Sequence, residues 1–145
     1  MTKYIYENLT YDLIGIFYEV YNCLGHGYKE RTYCNAIMKL LRKNNLDFAY
    51  QFKVPVKIRD EIVCKRYLDF LIDDKVIVEI KVGNKSSGRD FKQIKEYLNL
   101  SGYKLGLLVL FRDKDVKIYR IANLYKTEIR IICSRSVDLV VTLCK

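Results

Sequence analysis

The sequence YLDFLIDDKVIVEIKV, residues 67–82, contains two apolar segments separated by three charged residues. This pattern predicts two antiparallel strands joined by a short turn. A three-residue turn at 73–75 places Phe70 opposite Val78 and gives one consistently apolar face, which also includes Leu68. A two-residue turn would mix polar and apolar side chains on both faces, because a shift of one residue moves every side chain to the other face. We therefore expect the three-residue turn.

The same register places the carboxylates of Asp69 and Glu79 opposite each other, and Lys81 follows on the same face. Like charges directly opposite on a sheet are destabilising, unless a hard cation such as Mg²⁺ or Mn²⁺ lies between them. Two acids, a strand carbonyl and an ammonium group are the parts needed for metal-assisted phosphodiester hydrolysis. The alternative interpretation is an ordinary solvated hairpin, on which Lys81 forms an ion pair with one of the acids.

Hydrophobic periodicity along the rest of the chain predicts a mixed α/β sandwich around one sheet, in a single domain over residues 1–145. The first helix has Thr10 as a candidate N-cap and Gly25 as its stop. The predicted helices are at residues 9–24, about 29–43 and about 89–100, and the predicted strands are at 52–58, from a turn at 60–61 to 72, and at 76–82, 105–111 and 116–122. Alternating apolar residues in the tail, about 123–145, predict one or two further strands.

The composition is that of a globular protein with a basic surface. Half of the 145 residues are hydrophobic and 30% are charged, and 26 basic against 17 acidic residues give a net charge of +9. This excess favours a polyanionic partner, with nucleic acid preferred to an anionic membrane surface or to no partner at all. No apolar run approaches the roughly 20 residues of a membrane-spanning helix, and the N-terminus does not resemble a secretory signal. We expect a cytoplasmic protein with reduced cysteines.

Four motifs in order resemble those of a known group of enzymes. Asp69 followed by Glu79-Ile80-Lys81 resembles the PD-(D/E)XK nuclease superfamily, whose restriction-endonuclease-like core is a helix, a three-stranded meander, a helix and a further strand. Residues 27–33, GYKERTY, match the signature of the GxxExxY proteins, a branch of that superfamily. Residues 93–97, QIKEY, match the QxxxY pair of RecB-like nucleases, and residues 105–108, LGLL, resemble the strand that follows.

The resemblance implies a role for each matching residue. Glu30 would be an additional acid directed at the metal site. Asp69 and Glu79 would be the central metal ligands, together with the backbone carbonyl of Ile80. Lys81 would position or activate the hydrolytic water. Gln93 and Tyr97 would orient the lysine and contact the substrate phosphate. Beyond the resemblance, we expect a basic surface to hold the phosphate backbone without reading its sequence, formed by Lys85, Arg89, Lys92 and Lys95.

The leading hypothesis is therefore a nuclease that depends on Mg²⁺ or Mn²⁺ and acts on nucleic acid, with DNA favoured. A homodimer would suit a chain of this size that cuts two strands. The competing hypothesis is a catalytically inactive nucleic-acid-binding or protein-interaction module on the same fold. Two departures from the family pattern are Leu68, where the superfamily name has proline, and Leu110, where asparagine is expected.

Overall fold

The computed structural model describes the backbone of residues 4–125, 128–133 and 136–140, and the side chains of residues 4–123. The helices are α1 (Glu7–Leu24), α2 (Glu30–Lys43) and α3 (Gly88–Ser101). The strands are β1 (Phe48–Ile58), β2 (Glu61–Ile72), β3 (Val76–Val82), β4 (Leu105–Phe111), β5 (Val116–Tyr125), β6 (Glu128–Cys133) and β7 (Ser136–Val140).

The strands form one sheet whose spatial order follows the chain from β1 to β7. All neighbouring strands are antiparallel except β3 and β4, which are parallel and are connected through α3. This confirms the predicted α/β fold with a mixed sheet, a three-stranded meander, a helix and further strands. Two of the further strands, β6 and β7, lie in the tail, while the part of the tail at 141–145 lies outside the described residues.

Helices cover both faces of the sheet and create two hydrophobic clusters. In the first cluster α1 and α2 pack on one face, where Phe17 and Ile37 join Phe70 and other strand residues. In the second cluster α3 packs on the opposite face through Ile94 and its neighbours. Gly106 of β4 permits this close packing, because a Cβ atom there would lie 2.7 Å from Cγ2 of Ile94. In the described part of the chain, no helix is both long and apolar enough to cross a membrane.

The register predicted for the β2–β3 hairpin is confirmed near its turn. Phe70 pairs with Val78 and Ile72 with Val76, and the amide of Lys75 donates to the carbonyl of Ile72 at 3.0 Å. The strand boundaries at Val76–Val82 and Leu105–Phe111 are also as predicted. The first strand lies between the charged turn at 73–75 and the loop that begins at Gly83, and the second is a continuous apolar run between two basic residues.

The predicted N-cap of the first helix is wrong, although its predicted stop at Gly25 is confirmed. The helix begins at Glu7, so Thr10 lies within it and is buried. The Thr10 hydroxyl lies 3.0 Å from the carbonyl oxygen of Tyr6 and accepts a hydrogen bond of 2.6 Å from the guanidinium of Arg120 on β5. Thr10 therefore connects the helix to the sheet, a long-range contact that local sequence does not reveal.

The prediction that Leu68 shares a face with Phe70 is also wrong. Phe70 belongs to the first hydrophobic cluster and Leu68 to the second. On the paired strand β1, Tyr50 packs against the first cluster and Phe52 against the second, and between them Gln51 has a left-handed backbone with φ 56°. Gln51 interrupts the alternation of side chains along β1. The side chains before and after this point therefore lie on opposite faces of the sheet, and the same exchange occurs in the paired strand β2.

Candidate active site

Strands β2 and β3 separate immediately after the Phe70–Val78 pair. Beyond it β2 pairs only with β1, and β3 continues in parallel pairing with β4. The next residues on the two strands are Asp69 and Glu79, which therefore lie where the sheet opens. We call this opening between β2 and β3 the fork.

Carboxylate–amide hydrogen bonds replace the backbone ladder in the fork. The amide of Ile80 donates to Oδ2 of Asp69 at 2.8 Å, and the amide of Asp69 donates to Oε1 of Glu79 at 3.0 Å. The side-chain amide of Gln51, the residue at the strand irregularity, lies 3.5 Å from Oδ1 of Asp69. The predicted proximity of the two acids is thus a direct feature of the structure.

Both acids are buried, with 9% of Asp69 and 3% of Glu79 exposed. Burial raises the pKa of Glu79 to about 8, and the neighbouring charge of Asp69 acts in the same direction. Burial also raises the pKa of Asp69, against the lowering effects of the Ile80 amide and of Lys81. In the metal-free protein the fork therefore resists carrying two negative charges at neutral pH.

Glu30 is the first residue of α2 and lies within electrostatic range of the fork. Its pKa is raised, first by partial burial and then by the charge of Asp69, and lowered by Lys81. Within residues 4–123, however, no three Asp, Glu, His or Cys side chains are close enough together to form a ready metal-ligating group. The structure thus brings two of the three predicted acids together and places the third nearby. Its position at a helix N-terminus also suits a carboxylate without any ligand role.

Lys81 supplies the positive charge of this region. It lies on β3 two residues after Glu79, is partly exposed, and stands beside Leu110 of the parallel strand. Its ammonium group lowers the pKa of each of the three acids Glu30, Asp69 and Glu79. A partly exposed cation beside buried acids is suited to contact with a phosphate or with a nucleophilic water.

Gln93 and Tyr97 lie on one face of α3 and form a hydrogen-bonded pair, at 2.9 Å between Nε2 and Oη. The Tyr97 hydroxyl in turn donates to the backbone carbonyl of Tyr67 on β2 at 2.6 Å. The hydrogen bonds described for this pair therefore hold α3 against β2, two residues before Asp69, rather than reaching Lys81. The family pattern implied contact with the lysine, and the structure places the pair beside the fork instead.

A cleft of about 580 Å³ lies along α3 and is lined by Arg66, Gly88, Arg89, Lys92, Gln93 and Glu96. Two of the four predicted phosphate-binding residues, Arg89 and Lys92, are among them. Lys85 is exposed in the loop before α3, and Lys95 lies outside the cleft, partly buried, so that burial lowers its pKa.

Sequence reasoning missed the contribution of Arg66, which lines the cleft from β2. The guanidinium of Arg66 lies 2.8 Å from a carboxylate oxygen of Glu96 on α3. The available signal was the basic pair at residues 65–66, which directly precedes the segment of β2 that carries Asp69.

The donor chemistry of the fork fits a hard divalent cation. Carboxylate oxygens of Asp69 and Glu79 are the ligand type that Mg²⁺ and Mn²⁺ prefer. A cation between them would relieve the repulsion that contributes to the raised pKa of Glu79. The residues present are therefore chemically compatible with such an ion.

Comparison with known proteins gives a family for this arrangement. No curated protein matches the chain. A solved structure titled "Crystal structure of SSO0001" is 20% identical, with a TM-score of 0.47 over 61% of this chain and 47% of that chain, so this chain spans about half its length. A family model described as the PD-(D/E)XK nuclease superfamily matches residues 7–121, which include the fork and α3. The chain therefore belongs to the PD-(D/E)XK nuclease superfamily.

Proposed function

We propose that this protein is a metal-dependent nuclease that hydrolyses the phosphodiester bonds of DNA. The observation that carries the proposal is the fork, in which Asp69 and Glu79 are buried side by side within electrostatic range of Lys81. Burying two adjacent carboxylates costs free energy unless a cation or a proton offsets their charge, and such buried acids are typical of functional sites. The net charge of +9 supports a nucleic-acid substrate.

The residues proposed to hold Mg²⁺ or Mn²⁺ are Asp69, Glu79, the backbone carbonyl of Ile80, and Glu30. When bound, the ion supplies Lewis acidity toward the scissile phosphate and toward the attacking water. Each carboxylate uses one oxygen to accept a backbone amide hydrogen bond, so its other oxygen would be the one to hold the cation once the carboxyl group is ionised. Because the pKa of Glu79 is about 8 in the free protein, cation binding near neutral pH would release a proton.

The other polar groups of the site have distinct proposed roles. Lys81 would orient the attacking water and offset the negative charge that develops on the phosphate. Arg89 and Lys92 would hold flanking phosphates along the α3 cleft. Gln93 and Tyr97 would keep α3 in place against β2, so that the cleft and the fork remain in register.

The direct test is DNA cleavage by the purified protein with Mg²⁺, with Mn²⁺ and with a chelator. We expect the wild type to cut plasmid or single-stranded DNA only when a divalent ion is present. Lys81→Ala should lower the rate at least about a hundredfold, since it removes charge stabilisation at the phosphate. The matched control is Lys39→Ala, which removes an exposed lysine on α2. Equal rates for Lys81→Ala and wild type would refute the proposal.

A catalytically inactive binding module is the second candidate, and one observation favours it. Asp69 and Glu79 already have backbone amide partners, so they can hold the two strands together without a metal. Calorimetric titration with Mn²⁺ distinguishes the candidates. Salt-sensitive DNA binding without any Mn²⁺ binding would support the module, whereas Mn²⁺ binding that Asp69→Asn abolishes would support the nuclease.

Four further features belong to this proposal. We propose that residues 1–145 act as one domain of the GxxExxY branch and that the protein works as a homodimer, since two sites are needed to cut two strands in one encounter. We also propose a cytoplasmic location, which suits the free cysteines found among residues 4–123, namely Cys23, Cys34 and Cys64. Sedimentation of the protein with and without duplex DNA tests the dimer.

A further inference from the structure

We propose that the outer part of the β1–β2 hairpin, residues 53–67, is an arm that binds the groove of duplex DNA. This inference rests on the proposed function, because it names the form of substrate that is presented to the fork. No residue of the arm is among those proposed above to hold the metal or to orient the attacking water.

The arm differs from the rest of the hairpin in its exposure. Every residue from 57 to 67 is exposed, on both faces of the ribbon, whereas residues 68 to 72 are all buried. On β2 the change occurs within one residue, between Tyr67 and Leu68, whereas on β1 the last buried residue is Val54, which packs in the second hydrophobic cluster. Beyond Val54 the two strands continue past the hydrophobic core, although packing alone gives no reason for them to do so.

The charge of the arm suits a polyanion. It carries five basic side chains and two acidic ones, Lys53, Lys57, Arg59, Lys65, Arg66, Asp60 and Glu61. The acidic residues lie at the tip, whereas Lys57 and Lys65 lie along the ribbon on the two strands. Exposed lysines at successive positions of an extended ribbon can contact successive phosphates along a groove.

The shape of the arm favours duplex DNA among the nucleic acids. It is a two-stranded ribbon of six residue pairs, from Lys53–Tyr67 to Ile58–Glu61, and therefore about 20 Å long. The major groove of B-form DNA accepts such a ribbon, whereas that of A-form RNA is too narrow and deep. Single strands are held by stacking on several aromatic rings, and the arm has only Tyr67.

The base of the arm is attached to the elements that form the candidate active site. Along β2, Tyr67 precedes Asp69 by two residues, and its carbonyl accepts the hydrogen bond from Tyr97. The ion pair between Arg66 and Glu96 is a second attachment to α3. A duplex held by the arm would therefore be fixed in position relative to the α3 cleft and the fork.

A matched pair of double variants tests the arm. Lys57→Gln with Lys65→Gln changes the arm, and Lys39→Gln with Lys43→Gln changes the exposed surface of α2. Each removes two exposed lysines and so lowers the net charge equally. Binding is measured by fluorescence anisotropy with chelator present, against duplex DNA, single-stranded DNA and duplex RNA, over a series of salt concentrations.

We expect the arm variant to weaken duplex DNA binding about tenfold, and to reduce the slope of log affinity against log salt by about 1.8, which corresponds to two lost phosphate contacts. The control variant should change duplex affinity less than about twofold. Equal losses for the two variants, or equal losses on duplex and single-stranded DNA, would overturn the proposal.

The alternative partner of the arm is a second copy of the chain, because the arm also exposes three apolar residues, Ile58, Ile62 and Val63. If Ile62→Ser converts a dimer into a monomer in sedimentation while the lysine variant binds duplex normally, the arm is a self-association surface and the inference fails. Cleavage with Mn²⁺ separates this inference from the proposed function. If the wild-type protein binds duplex DNA through the arm but never cuts it, only the proposed nuclease activity is refuted. If the arm variant cuts subsaturating duplex DNA as fast as the wild type, only the proposed role of the arm is refuted.

Discussion

The two ends of the β2–β3 hairpin are built on different principles. At the closed end, beside the turn, Phe70 and Ile72 pair with Val78 and Val76 through the backbone, and their side chains lie in the first hydrophobic cluster. At the open end the backbone pairing stops, and two carboxylates accept the amide hydrogen bonds instead. The same two strands therefore provide stability at one end and titratable groups at the other.

The difference indicates how a sheet can place acids in its interior. Strand β3 pairs with β4 along its whole length but with β2 only from Val76 to Val78. Beyond that point the gap beside β2 leaves backbone amides that need acceptors. Asp69 and Glu79 satisfy these amides, while the raised pKa of Glu79 shows that burial is electrostatically unfavourable for the charged form. Substitutions at the open end should therefore affect function most, and substitutions at the closed end should affect stability most.

The largest effect is expected from Glu79→Gln at the open end. The amide side chain retains the shape but lacks the negative charge that a divalent ion requires, so the cleavage rate should fall about a thousandfold, or about 4 kcal/mol in barrier height. The protein should remain folded, as measured by circular dichroism. A variant that keeps a tenth or more of the activity would show that Glu79 is not a metal ligand.

At the closed end, Phe70→Ala should reduce the free energy of unfolding by about 3–5 kcal/mol. The Phe70 side chain is fully buried, and its ring contacts the ring of Tyr50, with 5.2 Å between centroids. Urea denaturation measures the effect. The control Ile62→Ala, at an exposed position of the arm, should change stability by no more than about 0.5 kcal/mol. Similar losses of unfolding free energy for Phe70→Ala and Ile62→Ala would contradict the stabilising role of the closed end.

In the metal-free protein, the stability should depend on pH because of the titratable acids at the open end, whereas the paired residues at the closed end have none. The pKa of Glu79 is about 8 in the folded state, above its ordinary value of 4.5, so the folded state holds the proton more tightly. The contribution of this bound proton to the free energy of unfolding is complete below pH 4.5. It is lost as the pH rises to 8, by up to about 1.4 kcal/mol per pH unit. Melting temperatures in chelator should therefore fall from pH 5 to pH 8.

Glu79→Gln should flatten this decline, leaving a smaller slope from Asp69, whose pKa is also raised. The control Glu19→Gln, at an exposed position on α1, should decline as the wild type does. If the Glu79→Gln and wild-type profiles are parallel, Glu79 is not the group that titrates.

The smallest effect is expected from Tyr97→Phe, which removes the hydroxyl bonded to the Tyr67 carbonyl and to Gln93. The loss of unfolding free energy should be about 1–2 kcal/mol, because a half-buried carbonyl loses its donor. Tyr103→Phe is the matched control, since its hydroxyl bonds the exposed carboxylate of Asp74. It should cost less in urea denaturation, and an equal or larger cost would show that Tyr97 does not secure the open end.

Much of this fold could be predicted from sequence because its signals are local. A continuous apolar run predicted Leu105–Phe111, and the charged turn and the glycine-bounded loop on either side predicted Val76–Val82, both at their observed bounds. The requirement for one apolar face predicted the register at Phe70. The position of Thr10 could not be predicted, because its partner Arg120 is 110 residues away. The face of Leu68 could not be predicted either, since it depends on the left-handed backbone of Gln51, which no residue preference indicates.

For the candidate site, sequence reasoning predicted that Asp69 and Glu79 lie close together, because the register near the turn was predicted correctly, although the apolar face expected behind them does not continue to Leu68. It did not predict that β2–β3 pairing ends there while β3 continues beside β4, because β4 is a strand beyond a helix and its position is not a local property of the hairpin. It also did not predict that Tyr97 bonds β2, since that contact depends on how α3 docks on the sheet. The roles of these residues stay predictions.

The strand order has a consequence for folding kinetics. Each strand pairs with its neighbour in sequence, so most strand pairs can form by closing a short loop. The loss of chain entropy on closing such loops is small. The exception is β3 with β4, whose pairing must enclose α3. We therefore expect the pairing of β3 with β4 around α3 to be the slowest step of folding. The fork should then acquire its final shape only after this step.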